Sequence, residues 1–419
     1  MEKLVVYGGK KLSGTISVQG SKNSTLPILA GALLAQGEVV LHNCPLLTDV
    51  NAAVNILKSL GSRIKRENNT LIIDSTNITT SVIDENLMHE MRSSIVFLGA
   101  LLARTGKAEL SAPGGCEIGL RPIDLHLKAM RELGVEINEE KGNLLCVAKN
   151  GIKGAEITLA FPSVGATENV ILAATAGEGR TILINAAREP EIKNLADFLN
   201  SCGAKIYFAG ESTIIIDGVK KLHGCEFNII SDRIVASTYM AAAAITGGEM
   251  EITNFPVRDI QPVLDIFNSG GCIINSDETS LHIKAPERLH LSGTIRTMPF
   301  PGFPTDFQAP AMAMSTVSEL TTIFIETIFE SRYKHVPQLK RMGADISVEG
   351  TVAVVQGVKK LHGATVYAED LRGGIALVIA ALAAEGKTDV INLKHIDRGY
   401  EKIEDNLRRL GAEINREVY

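Results

Sequence analysis

One eight-residue phrase recurs six times along the chain. Leu57-Lys58-Ser59-Leu60-Gly61-Ser62-Arg63-Ile64 returns as Met130 to Ile137, Leu199 to Ile206, Phe267 to Ile274, Leu339 to Ile346 and Leu407 to Ile414. Its glycines stand at 61, 134, 203, 271, 343 and 411, a period of about 70 residues. A repeat of this length is one supersecondary unit, so residues at equal offsets occupy equivalent places in the fold. Positions where the copies stop agreeing and turn polar are candidates for chemistry.

Each copy reads as strand, helix, strand, helix. In the first, Gly14 to Val18 alternates as a strand, and Ser21-Lys22-Asn23-Ser24 opens an apolar helix over Leu26 to Leu34, stopped by Gly37. Val39-Val40-Leu41 is a second strand, and a second helix runs from Asp49 to Leu60 and stops at Gly61. The first helices are apolar all round, which predicts burial inside a ring of sheets. With 419 residues, 45% of them hydrophobic but only 5% aromatic and none Trp, the core is built from Ala, Val, Ile and Leu, and there is length for two domains. The expected fold class is α/β, a two-domain barrel of six βαβα-type repeats, three per domain. The expected division is 22–229 against 1–21 plus 230–419. One crossing lies near Phe227, and the other, near Gly20, applies if the first strand pairs with the C-terminal half.

Net charge is −6 with no long basic run, which argues against a nucleic-acid partner. The cysteines at 44, 116, 146, 202, 225 and 272 form no CxxC pair, so disulfide and metal frameworks are not expected and a reducing cytoplasm fits best. No long apolar segment marks the N-terminus as a signal peptide, and Ile234 to Ile245 is too short to span a bilayer. No GxGxxG follows a strand, which removes a Rossmann-type nucleotide site. No cofactor or membrane partner is expected.

The copies turn chemical at their strand-to-helix junctions. The first junctions carry Lys22-Asn23, Arg92, Ser163-Val164-Gly165, Asp232-Arg233, Asp306, and Asp370 with Arg372. The second carry Asp49, Cys116 and Arg121, Glu189, Asp259, Glu330 and Arg332, and Arg398. Superposed repeats crowd these residues at one end of each domain, where helix N-termini favour anions. Lys22, Arg121, Arg332, Arg372 and Arg398 then predict a phosphorylated and carboxylated ligand in an interdomain cleft. Asp49, Asp232 and Asp259 read equally well as N-caps.

Cys44, Cys146, Cys202, Cys225 and Cys272 read as small buried hydrophobes. Cys116 differs. It follows Pro113-Gly114-Gly115 and precedes Glu117-Ile118-Gly119-Leu120-Arg121-Pro122, a composition that predicts a loop closing over the cleft as a lid. Arg121 beside it favours the thiolate, so Cys116 is a candidate nucleophile or acid.

These segments, Gly20 to Asn23, Pro113 to Cys116, Arg121-Pro122-Ile123-Asp124-Leu125-His126, Ser163 to Thr167, Phe303-Pro304-Thr305-Asp306 and His395 to Glu401, stand in order along the chain. Together they strongly resemble the UDP-N-acetylglucosamine 1-carboxyvinyltransferase (enolpyruvyl-UDP-GlcNAc synthase, MurA) family of the EPSP synthase superfamily. The resemblance covers essentially the whole chain and implies an inside-out α/β barrel with three repeats per domain. It implies transfer of the enolpyruvyl group of phosphoenolpyruvate to the 3-hydroxyl of UDP-N-acetylglucosamine, with release of phosphate, as the first committed step of peptidoglycan synthesis. The chemistry is addition then elimination through a tetrahedral ketal, which needs an acid, a base and cations.

Residue by residue, the resemblance makes Cys116 the acid and the thiol alkylated by fosfomycin, and Asp306 the base for the sugar hydroxyl. Lys22, Arg121 and Arg398 would hold phosphate and carboxylate, supported by Arg332 and Arg372. Asn23, Arg92, the segment Arg121-Pro122-Ile123-Asp124-Leu125, Ser163-Val164-Gly165 and Ile328 would line the UDP-sugar site. Two positions depart from the family pattern: Phe161-Pro162 where some relatives carry a lysine, and Val235 where many carry glutamate. They leave open a divergent paralogue; a non-catalytic UDP-sugar-binding regulator is a separate alternative, which the loss of Cys116 or Asp306 would favour, and both are present. The sister reaction on shikimate 3-phosphate uses a lysine rather than a loop cysteine in its family, so Pro-Gly-Gly-Cys argues against it. The two-domain repeat and the glycine-rich lid also predict domain closure on UDP-N-acetylglucosamine, visible by small-angle scattering.

Overall fold

The computed structural model describes residues 2–91, 94–111, 123–140 and 142–418. The recurring phrase is a helix stop. All six of its glycines have left-handed backbone, with φ between +87° and +111°, a region that L side chains enter only at a cost. In every copy the residue after the glycine donates its N–H to the carbonyl five positions back, from Ser62 to Leu57 through Ala412 to Leu407, at 3.0–3.1 Å. This is the Schellman closure, which satisfies a carbonyl that the helix end leaves orphaned. The acceptor residue is apolar and buried each time: Leu57, Met130, Leu199, Phe267, Leu339 and Leu407. Burying each stabilises the repeat by about 1.5–3 kcal/mol, so turn and packing select the same phrase.

The described residues form two compact units. One runs from Gly20 to Ile230; the other combines residues up to Gln19 with those from Ser231 onward. Each unit has its own hydrophobic core and three four-stranded sheets. Each four-stranded sheet has one parallel pairing followed by two antiparallel ones, and the sheet that the N-terminal strand enters keeps that pattern. Strand Glu38–His42, for example, lies parallel to Glu226–Asn228 and antiparallel to Thr70–Asp74, which pairs in turn with Arg63–Glu67.

Three first helices pack together inside each unit: Lys22–Gly31, Phe97–Thr105 and Val164–Thr175 in one, Arg233–Thr246, Thr305–Ser315 and Leu371–Ala383 in the other. Arg233–Thr246 is buried at every residue through Ile245, as its all-round apolar pattern requires. Gly99 shows how closely the helices approach: a Cβ there would stand 2.3 Å from the Asn169 carbonyl oxygen.

Two details differ from the sequence reading. The first helix ends at Gly31 rather than near Gly37. Leu33 and Leu34 bond back three residues to Ala30 and Gly31, and Ala35–Gln36 leaves to pair with Leu222–His223. The strand expected to open copy four also lies elsewhere, and the first strand stands in its place. Ser13–Ser17 pairs in parallel with Glu249–Thr253, whereas Glu226–Asn228, expected to open copy four, pairs with Glu38–His42. The N-terminal strand Glu2–Tyr7 lies between Lys387–Ile391 and Glu413–Val418 and completes the sixth sheet. Among the described residues no helix is long and apolar enough to cross a membrane.

Candidate active site

In the unit from Gly20 to Ile230, Ser21 caps the first helix by accepting from the Ser24 N–H at 3.2 Å. The cap sets Lys22 on the first turn, where its side chain is buried and its ammonium lies 3.3 Å from the buried Asp49 carboxylate. Asp49 therefore pairs with a cation, while Leu47 holds the cap position of its helix. Asn23 is half-buried beside Lys22, and Ser24 donates to Asn194 at 2.8 Å. Ser163 caps Val164–Thr175, leaving Ser163, Val164 and Gly165 half-buried at the helix start.

The His126 ring packs on that start: a Cβ on Gly165 would meet its Cε1 at 2.9 Å. Burial pushes the His126 imidazole down to about 4, against the opposing pull of Asp124, so the ring is neutral at physiological pH. It bonds Asn169 at 2.8 Å, and Asn169 also joins Ile95 and Gly99. Asp124 is exposed at its helix start, between half-buried Ile123 and Leu125. Glu168 follows one turn after Val164, with its carboxyl held well above the usual range by burial and then by Glu191 and Glu189. Arg92, Cys116, Arg121 and Pro122, and with them the lid, lie outside the described residues.

In the other unit Asp306, on the first turn of Thr305–Ser315, is held at both oxygens. Oδ1 accepts from Arg332 and Oδ2 from Arg372, each at 2.9 Å. Both arginines are about as buried as core residues, 3% exposed. Arg332 also donates to the Thr305 carbonyl at 3.0 Å. Arg372 reaches the Tyr400 hydroxyl at 3.2 Å, which meets Thr238 at 2.9 Å. Burial opposes the Arg372 charge, but Asp306, Tyr400 and Asp232 outweigh it and raise its pKa, so it stays a cation.

Asp232 and Asp370 cap their helices, each accepting two backbone N–H groups. Asp259 lies in the short 3-10 turn Val257–Ile260, with Arg258 at 3.6 Å. Arg398 is half-buried in the turn that leads to Tyr400, and Ile328 is half-buried with its N–H bonded to Glu326 at 2.8 Å.

The structure thus joins Lys22 to Asp49, and Asp306 to Arg332 and Arg372. Tyr400, Thr238, His126, Asn169 and Glu326 were assigned no role from sequence. Tyr400 and His126 stood inside quoted motifs, and that was their only signal. Phe161 is exposed, and Val235 is fully buried in the core. Cys44, Cys146, Cys202 and Cys272 are buried as expected, whereas Cys225 is half-buried, its Sγ 3.1 Å from that of Cys202.

The sequence family described as EPSP synthase (3-phosphoshikimate 1-carboxyvinyltransferase) matches the chain over residues 6–407. The chain is 49% identical to UDP-N-acetylglucosamine 1-carboxyvinyltransferase 2 of Caldanaerobacter subterraneus subsp. tengcongensis, covering 99% of this chain and 100% of that one. It is 46% identical to UDP-N-acetylglucosamine 1-carboxyvinyltransferase of Trichlorobacter lovleyi, covering 99% of each. Among solved structures it superposes on the enolpyruvyl transferase NikO from Streptomyces tendae with a TM-score of 0.90 at 25% identity, over 99% of this chain and 98% of that one. With the six-repeat fold and the Asp306–Arg332–Arg372 cluster in place, these likenesses show that the chain belongs to the EPSP synthase family and, within it, to the UDP-N-acetylglucosamine 1-carboxyvinyltransferases.

Proposed function

We propose that this protein transfers the enolpyruvyl group of phosphoenolpyruvate to the 3-hydroxyl of UDP-N-acetylglucosamine and releases phosphate, the committing step of peptidoglycan synthesis. The observation that carries the reading is near-half identity, over the full length, to enzymes named for this reaction. Lys22 and Arg398, with Arg121, supply positive charge for the phosphate and carboxylate of phosphoenolpyruvate. Cys116 is assigned as the acid that protonates the methylene carbon, which makes the adjacent carbon electrophilic.

Asp306 is assigned as the base. Its two oxygens are engaged by Arg332 and Arg372; an arriving substrate anion competes for those guanidiniums and frees a carboxylate oxygen for the sugar hydroxyl. That hydroxyl adds to the electrophilic carbon, and the ketal collapses as phosphate leaves and the added proton returns from the methyl group. Addition and elimination balance without an outside oxidant or reductant. A cytoplasmic location fits the free thiols of the described cysteines.

The test is phosphate release from phosphoenolpyruvate by the purified protein, with UDP-N-acetylglucosamine in one reaction and shikimate 3-phosphate in another. Release with the sugar nucleotide alone, abolished in Cys116→Ala, is the expected result. Release with shikimate 3-phosphate alone, or with neither, refutes it.

A further inference from the structure

Four copies of the repeat end their second strand in the same way. Asn43, Asn185, Asn254 and Asn392 each follow that strand directly, all with left-handed backbone, φ +58° to +66°. In three of them the amide donates to the carbonyl of the residue just past the neighbouring parallel strand: Ile229, Leu159 and Val18, at 2.8–3.1 Å. The asparagine is a local tie between two strand ends.

The copy that carries Asp306 breaks this rule. Its second strand, Thr321–Ile325, is followed by Glu326, 2% exposed. The equivalent carbonyl, that of Thr297, accepts from the Thr327 hydroxyl at 2.5 Å instead, so the tie is made without Glu326. The carboxylate is thereby released for other work. Its Oε1 accepts from the Thr297 hydroxyl at 2.9 Å and from the N–H groups of Ile328 and Phe329 at 2.8 and 3.1 Å. Its Oε2 accepts from the Thr305 hydroxyl at 3.0 Å.

All four partners are donors, a set that suits a carboxylate and not an amide, because an amide has only one accepting end. The last of them opens the Asp306 helix. Ser21, Ser163, Asp232 and Asp370 cap their own helices, but Thr305–Ser315 starts behind Pro304, which has no capping side chain. Glu326 brings a negative charge to that bare N-terminus, where the helix dipole favours it, and does so through the residue next to Asp306. Arg332 closes the loop by gripping both the Thr305 carbonyl and the Asp306 carboxylate.

We infer that Glu326 is a positioning residue for the sugar-nucleotide half of the reaction: one buried carboxylate holds the start of the Asp306 helix and the Ile328 turn in a single frame. The inference rests on the function proposed above, in which Asp306 takes the hydroxyl proton and Ile328 lines the UDP-sugar site. Glu326 touches neither substrate and acts through Thr305 and the loop N–H groups.

The test compares wild type with Glu326→Asn, which restores the residue that four other copies use, and with Thr305→Val, which cuts the link to the Asp306 helix alone. Thermal unfolding and steady-state kinetics are measured with each substrate varied in turn. In Glu326→Asn we expect the KM for UDP-N-acetylglucosamine to rise about 10- to 100-fold, with the KM for phosphoenolpyruvate moving less than about threefold. Thr305→Val is expected to lower kcat about tenfold with the fold intact.

A purely structural role shifts the melting temperature and the active fraction but leaves the ratio of the two KM values unchanged. An unchanged ratio in Glu326→Asn therefore overturns the inference, whatever the stability. If Glu326→Asn does not fold, Thr305→Val decides in its place, with wild-type kcat as the overturning result. Wild type that releases no phosphate with UDP-N-acetylglucosamine overturns the function and this inference together. Wild type that does so, beside variants with wild-type kinetics, overturns this inference alone.

Discussion

Asp306 and Glu168 show two opposite fates of a carboxyl at a helix start. Asp306 is met by two buried guanidiniums, so its charge has partners. Glu168 is met by two further carboxyls and by burial, which hold it protonated well above the usual range. A raised folded pKa means that the group contributes stability below its unfolded pKa, and that this contribution is lost as pH rises through the folded pKa. Denaturant unfolding of wild type is therefore expected to weaken as pH rises above the ordinary glutamate range, and Glu168→Gln, which mimics the neutral acid, to flatten that loss. An unchanged slope in the variant would assign the effect to another group. Sequence marked Asp306 as a break in the repeat, but Glu168 looked like an ordinary charge in a helix. Its state depends on Glu189 and Glu191, which belong to the next helix start.

At the scale of the element, the helix stop is the most legible feature of the chain. A left-handed glycine, the Schellman bond and a buried apolar acceptor are all local requirements, so each copy had to write them in the same place. Gly411 offers a clean measure: φ is +99°, and an added Cβ would find nothing nearer than the Lys11 carbonyl at 3.9 Å. Gly411→Ala is thus a test of backbone conformation rather than crowding, with an expected loss of about 1–2 kcal/mol by urea unfolding. A loss near zero would mean that the turn rearranges without cost. The first helix was less legible. Its apolar run continues to Leu34 although the helix stops at Gly31, because residues leaving a buried helix stay buried in the following turn and hydropathy does not change. Glu326 was legible only by alignment with Asn43, Asn185, Asn254 and Asn392; of its partners, Thr305 stood inside a quoted motif with no role of its own, and Thr297 looks like an unremarkable residue past a strand end.

At the scale of the whole chain, the two units differ in how they depend on chain order. All three four-stranded sheets of the Gly20–Ile230 unit are built from its own residues. The other unit needs Glu2–Tyr7 and Ser13–Ser17 to complete two of its sheets. A fragment spanning 20–230 is expected to unfold in one cooperative transition. A fragment spanning 231–419 is expected to lack one until a peptide of residues 1–19 is added, since the missing strands leave open ladder groups and uncovered core. Circular dichroism melts check both, and a cooperative melt of 231–419 alone would contradict the dependence.

The sequence by itself determined the number of repeats, the order of elements within each, the helix stops, and the polar positions where chemistry was to be sought. These follow from rules that act over a few residues: backbone sign at a glycine, periodicity, and the donor needs of a helix start. The tertiary structure decided which strands exchange between units, and that Asp306 meets Arg332 and Arg372, 26 and 66 positions away in the chain. It decided the protonation of Glu168 and the reach of Glu326 as well. Strand alternation specifies a buried face without naming the neighbour, and a charge acquires its role from the dielectric and the partners that distant segments bring to it.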